Sequence, residues 1–151
     1  MPQSLDRVVL HIVFSTKRRY PFLTDPEIRN EMHAYLGGTC NELDCQSITV
    51  GGVADHVHIL CFLSRTVTIA QLVGDLKRSS SKWIKGKGGM LRKFAWQNGY
   101  GAFSVRHSEL DWVRAYIASQ AAHHSKTNFQ DEYRAFLEEN EIEFDEQYVW
   151  Y

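Results

Sequence analysis

Cysteine is scarce in this chain of 151 residues. Cys40, Cys45 and Cys61 are the whole supply, and no two have Cys-x-x-Cys spacing. That gives no support to a disulfide framework or a zinc knuckle, and a reducing cytoplasm is the expected setting. No apolar run approaches the roughly 20 residues that a membrane helix needs, so no membrane partner is expected. The opening residues Met1 to Arg7 lack the basic, apolar and small-residue order of a secretory leader. Internal repeats, low-complexity tracts and linkers are absent as well, and one domain over 1–151 is expected.

Acid is missing from one long stretch. Between Leu76 and His107 there is no Asp or Glu, while Lys77, Arg78, Lys82, Lys85, Lys87, Arg92, Lys93 and Arg106 all fall there. Lys17, Arg18 and Arg19 form a second basic spot. The net charge is only −1 because the acids collect at the end, from Asp131 to Glu146. Such segregation is an electrostatic footprint that the net value hides. Trp83, Phe94, Trp96, Tyr100 and Phe103 are interleaved with the cations. Aromatic rings beside cations suit unpaired bases, so single-stranded nucleic acid is the expected partner. No nucleotide cofactor is expected.

Val8 to Ser15 is β-branched and apolar and reads as a central strand. Thr24 or Asp25 caps a helix with Pro26 in its first turn, which stops near Gly37-Gly38 or soon after. Gln46 to Val53 and His56 to Leu63 read as two further strands. A helix opened by Arg65-Thr66-Val67-Thr68 ends before Gly86, and Ala102 to Arg106 is a short fourth strand. The order βαββαβ predicts an α+β, ferredoxin-like fold, an antiparallel four-stranded sheet with helices on one face. A third helix is predicted from Ser108 to about His124. Beyond it come a short helix ending near Asn140 and an extended aromatic end.

Asp55-His56-Val57-His58 carries the clearest chemistry. Strand side chains alternate faces, so His56 and His58 point the same way, and two imidazoles on one face are a ready metal-binding pair. Cys61 falls on the opposite strand face. On the third helix Tyr116 and Gln120 are four apart and share a side. A phenol is a candidate nucleophile, and an amide oxygen is a candidate ligand. His56, His58 and Gln120 would leave a divalent cation strongly electrophilic, because all three are neutral, and mixed nitrogen and oxygen ligands suit magnesium or manganese. His123 and His124 are adjacent on a helix, about 100° apart, and are not expected to meet at one ion.

These residues resemble the single-tyrosine HUH transposases of bacterial insertion sequences, including the REP-associated tyrosine transposases. The likeness includes His11 to Lys17, Leu76 to Ser81, Trp96 to Val105, Tyr116 to His124, Phe129 to Tyr133 and Asp145 to Trp150. Ser119 stands where Asn is most often expected, and Ala121-Ala122 lacks an acid often found there. Neither change removes a catalytic group. The resemblance implies Tyr116 as nucleophile and His56, His58 and Gln120 as ligands of Mg or Mn. It implies a homodimer that acts on single-stranded DNA with hairpins, through a 5′-phosphotyrosine. It leaves open whether the tyrosine serves its own chain or the partner. Lys17, Arg18, Lys77, Arg78, Lys82, Lys85, Lys87, Arg92 and Lys93 are candidate phosphate contacts, with Trp83 and Trp96 either stacking platforms or core. The alternatives are a non-catalytic or domesticated single-strand or hairpin binder, and a metal-binding ferredoxin-like domain of another class.

Overall fold

A computed structural model describes residues 2–124 and 127–150. Four strands, β1 (Val9–Ser15), β2 (Ser47–Gly52), β3 (His56–Phe62) and β4 (Gly101–Ser104), form one sheet in the order β2-β3-β1-β4. Every neighbouring pair is antiparallel. This is the ferredoxin-like arrangement that the element order predicts. β1 sits centrally and is buried along its whole length, as an apolar run interrupted only by His11 before the closing Ser15 leads one to expect.

Helix α1 (Pro26–Glu42) starts at Asp25, whose carboxylate accepts from the Glu27 amide at 2.9 Å. It runs past both glycines, because Leu36 and Cys40 continue its buried stripe. Helix α2 (Ile69–Lys85) is opened by a reciprocal cap. The Gln71 amide donates to the Thr68 hydroxyl, and the Gln71 side chain accepts from the Thr68 amide. Both helices pack on one sheet face against Ile12, Phe14, Val57, Ile59 and Cys61. Cys61 therefore lies away from the histidine pair, as strand alternation requires.

The other face carries His11, Val13, His56, His58 and Phe103, and it too is covered. Helices α3 (Leu110–Ala118), α4 (Gln120–His123) and α5 (Phe129–Glu139) lie over it. The predicted helix from Ser108 to His124 is thus not continuous. It begins with a 3-10 turn, His107–Glu109, in which the Glu109 carboxylate accepts from the Arg106 amide at 3.1 Å. Ser108 lies inside that turn and is not the cap. The helix breaks at Ser119 (φ −101°, ψ 21°). There the amide is shared between the carbonyls of Ala115 and Tyr116, and the hydroxyl donates to the Tyr116 carbonyl. A serine that satisfies backbone groups locally competes with the helix ladder.

The tail also departs from its reading. It turns at 146–150, with the Val149 amide donating to the Asp145 carbonyl at 2.9 Å, and is not extended. Tyr151 lies outside the described residues. Among those residues no helix is long and apolar enough to cross a membrane.

Candidate functional site

Two glycines let the covering helices reach the sheet. A Cβ on Gly51 would stand 2.5 Å from the Ile117 carbonyl oxygen, so only glycine allows α3 to lie directly on β2. A Cβ on Gly101 would stand 2.9 Å from the Tyr133 ring, which brings α5 onto β4. Val113 and Ile117 anchor α3, while Phe129, Tyr133 and Leu137 anchor α5. Tyr116 and Glu132 are thereby carried over the histidine strand.

His56 and His58 are fully buried, and each ring is held from behind. Nδ1 of His56 donates to Asp55 Oδ1 at 2.8 Å, and Nδ1 of His58 lies 2.8 Å from His11 Nε2. Fixing one ring nitrogen aims the other, which is how metal-binding histidines are oriented. Both Nε2 atoms face one carboxylate. Glu132 Oε1 is 3.0 Å from His58 Nε2 and 3.4 Å from His56 Nε2. Gln120 Oε1 is 3.3 Å from His56 Nε2, so the amide named from the helical spacing does meet the histidine strand. The second oxygen of Glu132 faces the other way. Oε2 accepts the Tyr116 hydroxyl and lies 3.1 Å from Nε2 of both His123 and His124. The Tyr116 hydroxyl is also 3.2 Å from His123 Nε2. Within one chain, then, the phenol lies beside its own histidine pair.

Burial lowers the His58 imidazole to about 4, against the pull of the Glu132 carboxylate. His11 falls to about 3, through burial and then the neighbouring His58. Burial also pushes His56 down, but its bonds to Asp55 and Glu132 outweigh that and leave it above the ordinary value. Glu132 shows the converse balance. Burial raises its carboxyl, and the bonds from His124, His56 and His58 bring it well below the usual range. The Tyr116 phenol is raised by burial and by Glu132, and stays protonated at neutral pH.

His56, His58, His124 and Glu132 offer ligand atoms within 4.8 Å of one another, and Gln120 adjoins them. Ligands at about 2.1 Å from an ion stand roughly 3.0–3.4 Å apart, which is the spacing of Glu132 Oε1 from both histidines and of Gln120 Oε1 from His56. The set fits a divalent cation. It is not the wholly neutral set read from the sequence, because Glu132 adds a carboxylate. Of His123 and His124 only the second belongs to the group that could hold an ion, as their separation on the helix predicts, though both contact Glu132 Oε2. The break at Ser119 and the turn that ends α4 let both reach one oxygen.

Glu132 had a signal in the sequence. Phe129, Tyr133, Phe136 and Leu137 form the apolar stripe of α5, and Glu132 falls within it. A carboxylate on a buried stripe needs partners, and here they are histidines. His11 had one too, as the one polar residue in the interior of β1.

The candidate DNA cations do not surround this cluster. Lys77 donates to the carbonyls of Gln97 and Gly99 at 2.8 and 2.9 Å, and is a structural brace. Arg78 pairs with Asp75, and Lys87 with Glu31. Lys17, Arg18, Lys82, Lys85, Arg92 and Lys93 are exposed and form no ion pair among the described residues. Trp96 is core: it packs on Phe14 and Phe94 and donates to the Ser80 hydroxyl. Trp83 stacks on Tyr35 with centroids 4.8 Å apart.

Comparisons with known proteins agree with this architecture. A family model described as "Transposase IS200 like" matches residues 4–120, ending short of His123, His124 and Glu132. A candidate transposase from Deinococcus radiodurans R1 superposes with a TM-score of 0.62 at 19% identity, covering 80% of this chain and 95% of its own. A REP-associated tyrosine transposase bound to a REP hairpin gives 0.60 at 10% identity, covering 84% and 74%. At such identities these likenesses speak for the fold alone. No curated protein matches the chain.

Proposed function

Because this chain belongs to the IS200-like transposase family, we propose that it cleaves and rejoins single-stranded DNA through a 5′-phosphotyrosine on Tyr116. His56 and His58 hold a divalent cation, magnesium or manganese, with Gln120, Glu132 and His124 as further ligands. One observation carries this reading: Tyr116 donates to one oxygen of Glu132 while the other oxygen faces both histidines. A nucleophile and a cation site are joined through a single carboxylate.

When bound, the cation polarises the scissile phosphate and offsets charge as the phosphorus becomes five-coordinate. Asp55 and His11 hold the two rings so that both Nε2 lone pairs are presented together. The Tyr116 oxygen attacks phosphorus; the new bond is Tyr O–P, and the bond to the 3′ oxygen breaks. Glu132 Oε2, already the phenol's acceptor, takes its proton, with His123 and His124 at hand to stabilise or pass it on. The proton taken up by Glu132 is passed to the leaving oxygen, which is released as a 3′-hydroxyl. Rejoining is the reverse: a 3′-hydroxyl attacks the phosphotyrosine and the phenol regains its proton. A homodimer supplies two such sites. Recognition of hairpin ends falls to the exposed cations, and the hairpin-bound relative of like fold supports it.

With manganese and labelled single-stranded DNA bearing a hairpin, the wild-type protein should form an adduct that survives denaturing electrophoresis. Tyr116→Phe should form none and still bind the DNA. Adduct formation by the variant at the wild-type level would sink the proposal.

A further inference from the structure

Away from the histidine cluster, a pocket of about 320 Å³ opens between the turn at Lys17–Arg19, the segment Trp96–Asn98 and the C-terminal turn with Gln147 and Trp150. This is at the low end of ligand-cleft sizes, roughly 300–1,000 Å³. Three consecutive cations rim it. Arg18 and Arg19 both have left-handed backbone, φ 56° and 57°. That conformation is unfavourable for a residue with a Cβ and persists only where its surroundings dictate it. The turn is pinned from several sides. The Thr16 hydroxyl donates to the Tyr20 carbonyl at 2.6 Å, the Arg19 amide to the Thr16 carbonyl, and the Lys17 amide to the Ala95 carbonyl. Lys17 and Arg18 form no ion pair among the described residues, so the pinned turn holds their charge at the pocket rim without a counter-charge.

The floor of the pocket is more telling. Gln97 is only 4% exposed. Its carbonyl oxygen accepts both the Ser15 amide and the Ser15 hydroxyl, each at 2.6 Å. A backbone N–H must donate, so the amide orientation is fixed and its NH₂ faces away from Ser15. No described group accepts from that NH₂. The NH₂ group is open to the pocket and has no acceptor among the described residues, so a phosphate oxygen entering there would accept from it.

The pocket is tied to the proposed active site on two sides. Ser15 pairs with His56 across the sheet, and the Thr16 amide donates to the carbonyl of Asp55. Trp150 packs against Tyr133, next in sequence to Glu132. We propose that this pocket is a phosphodiester subsite that grips the single strand beside the bond being cut. Lys17 and Arg18 supply charge, and the Gln97 NH₂ donates to a phosphate oxygen. This rests on the single-strand reading above and adds a site to it.

The test uses the full chain, a short fluorescein-labelled oligothymidylate and fluorescence anisotropy. Gln97→Glu keeps the acceptor that Ser15 needs and puts a carboxylate oxygen where the donor was. The dissociation constant should rise about tenfold, the scale of one charge-assisted hydrogen bond. Lys17→Ala with Arg18→Ala, both exposed, should flatten the log-affinity against log-salt line by about 0.7 for each phosphate that is no longer neutralised. If wild type binds and both variants match it in affinity and salt slope, the subsite is wrong while the DNA reading stands. If wild type does not bind, the DNA reading fails and the subsite with it. If Gln97→Glu melts early, the double variant alone decides: an unchanged salt slope overturns the subsite.

Discussion

At the scale of single residues, Glu132 divides its work between two oxygens. Oε1 faces the histidine pair and Oε2 faces Tyr116. Glu132→Gln keeps the shape and removes the charge. Manganese affinity measured by calorimetry should fall at least about tenfold, as when a ligand or its support is removed. Unchanged affinity would show that Oε1 takes no part in binding. The convergence of His56, His58, Gln120 and Tyr116 was legible because strand alternation is local and the break at Ser119 still leaves Gln120 facing the histidine strand. Glu132 lies on a separate helix, beyond the end of α4. It reaches the site only through the docking of α5, which no local periodicity encodes.

At the scale of elements, α3 reaches β2 through the gap at Gly51. Gly51→Ala drives a methyl into the Ile117 carbonyl and should cost about 1–3 kcal/mol in urea unfolding, with the Tyr116 adduct lost as the helix shifts. Gly38→Ala is the contrast. It sits in α1 with nothing within 4 Å of its Cβ, and should gain up to about 1 kcal/mol. The strands and the first two helices were legible because apolar runs, Asp25 and the Thr68–Gln71 cap act locally. The break at Ser119 was not. The apolar pattern of Leu110, Val113, Ile117 and Ala121 continues across it, and the hydrogen bonds that end α3 there outweigh the pattern.

At the scale of the whole molecule, acid is the sensitive variable. His11, His33 and His58 are held at about 3, 4 and 4. Burial is the main cause in each, with Arg29 adding to it at His33. Each value lies below the unfolded 6.5, so between pH 6.5 and 4 the unfolded chain takes up protons that the folded one refuses. Stability therefore falls as pH falls through that window, by up to about 1.4 kcal/mol per pH unit for each histidine. Thermal melts of metal-free protein from pH 7 to 4.5 should show a steep fall, and His33→Leu should make it shallower by about one proton. Equal slopes would show that His33 does not titrate differently on unfolding. The same burial has a kinetic meaning. His56 and His58 are 0% exposed, Gln120 1% and Glu132 4%. On the proposed mechanism a DNA phosphate would meet His56 and His58 only after the covering helices part, and turnover would then be gated, with the rate of opening as its ceiling however much strand is supplied.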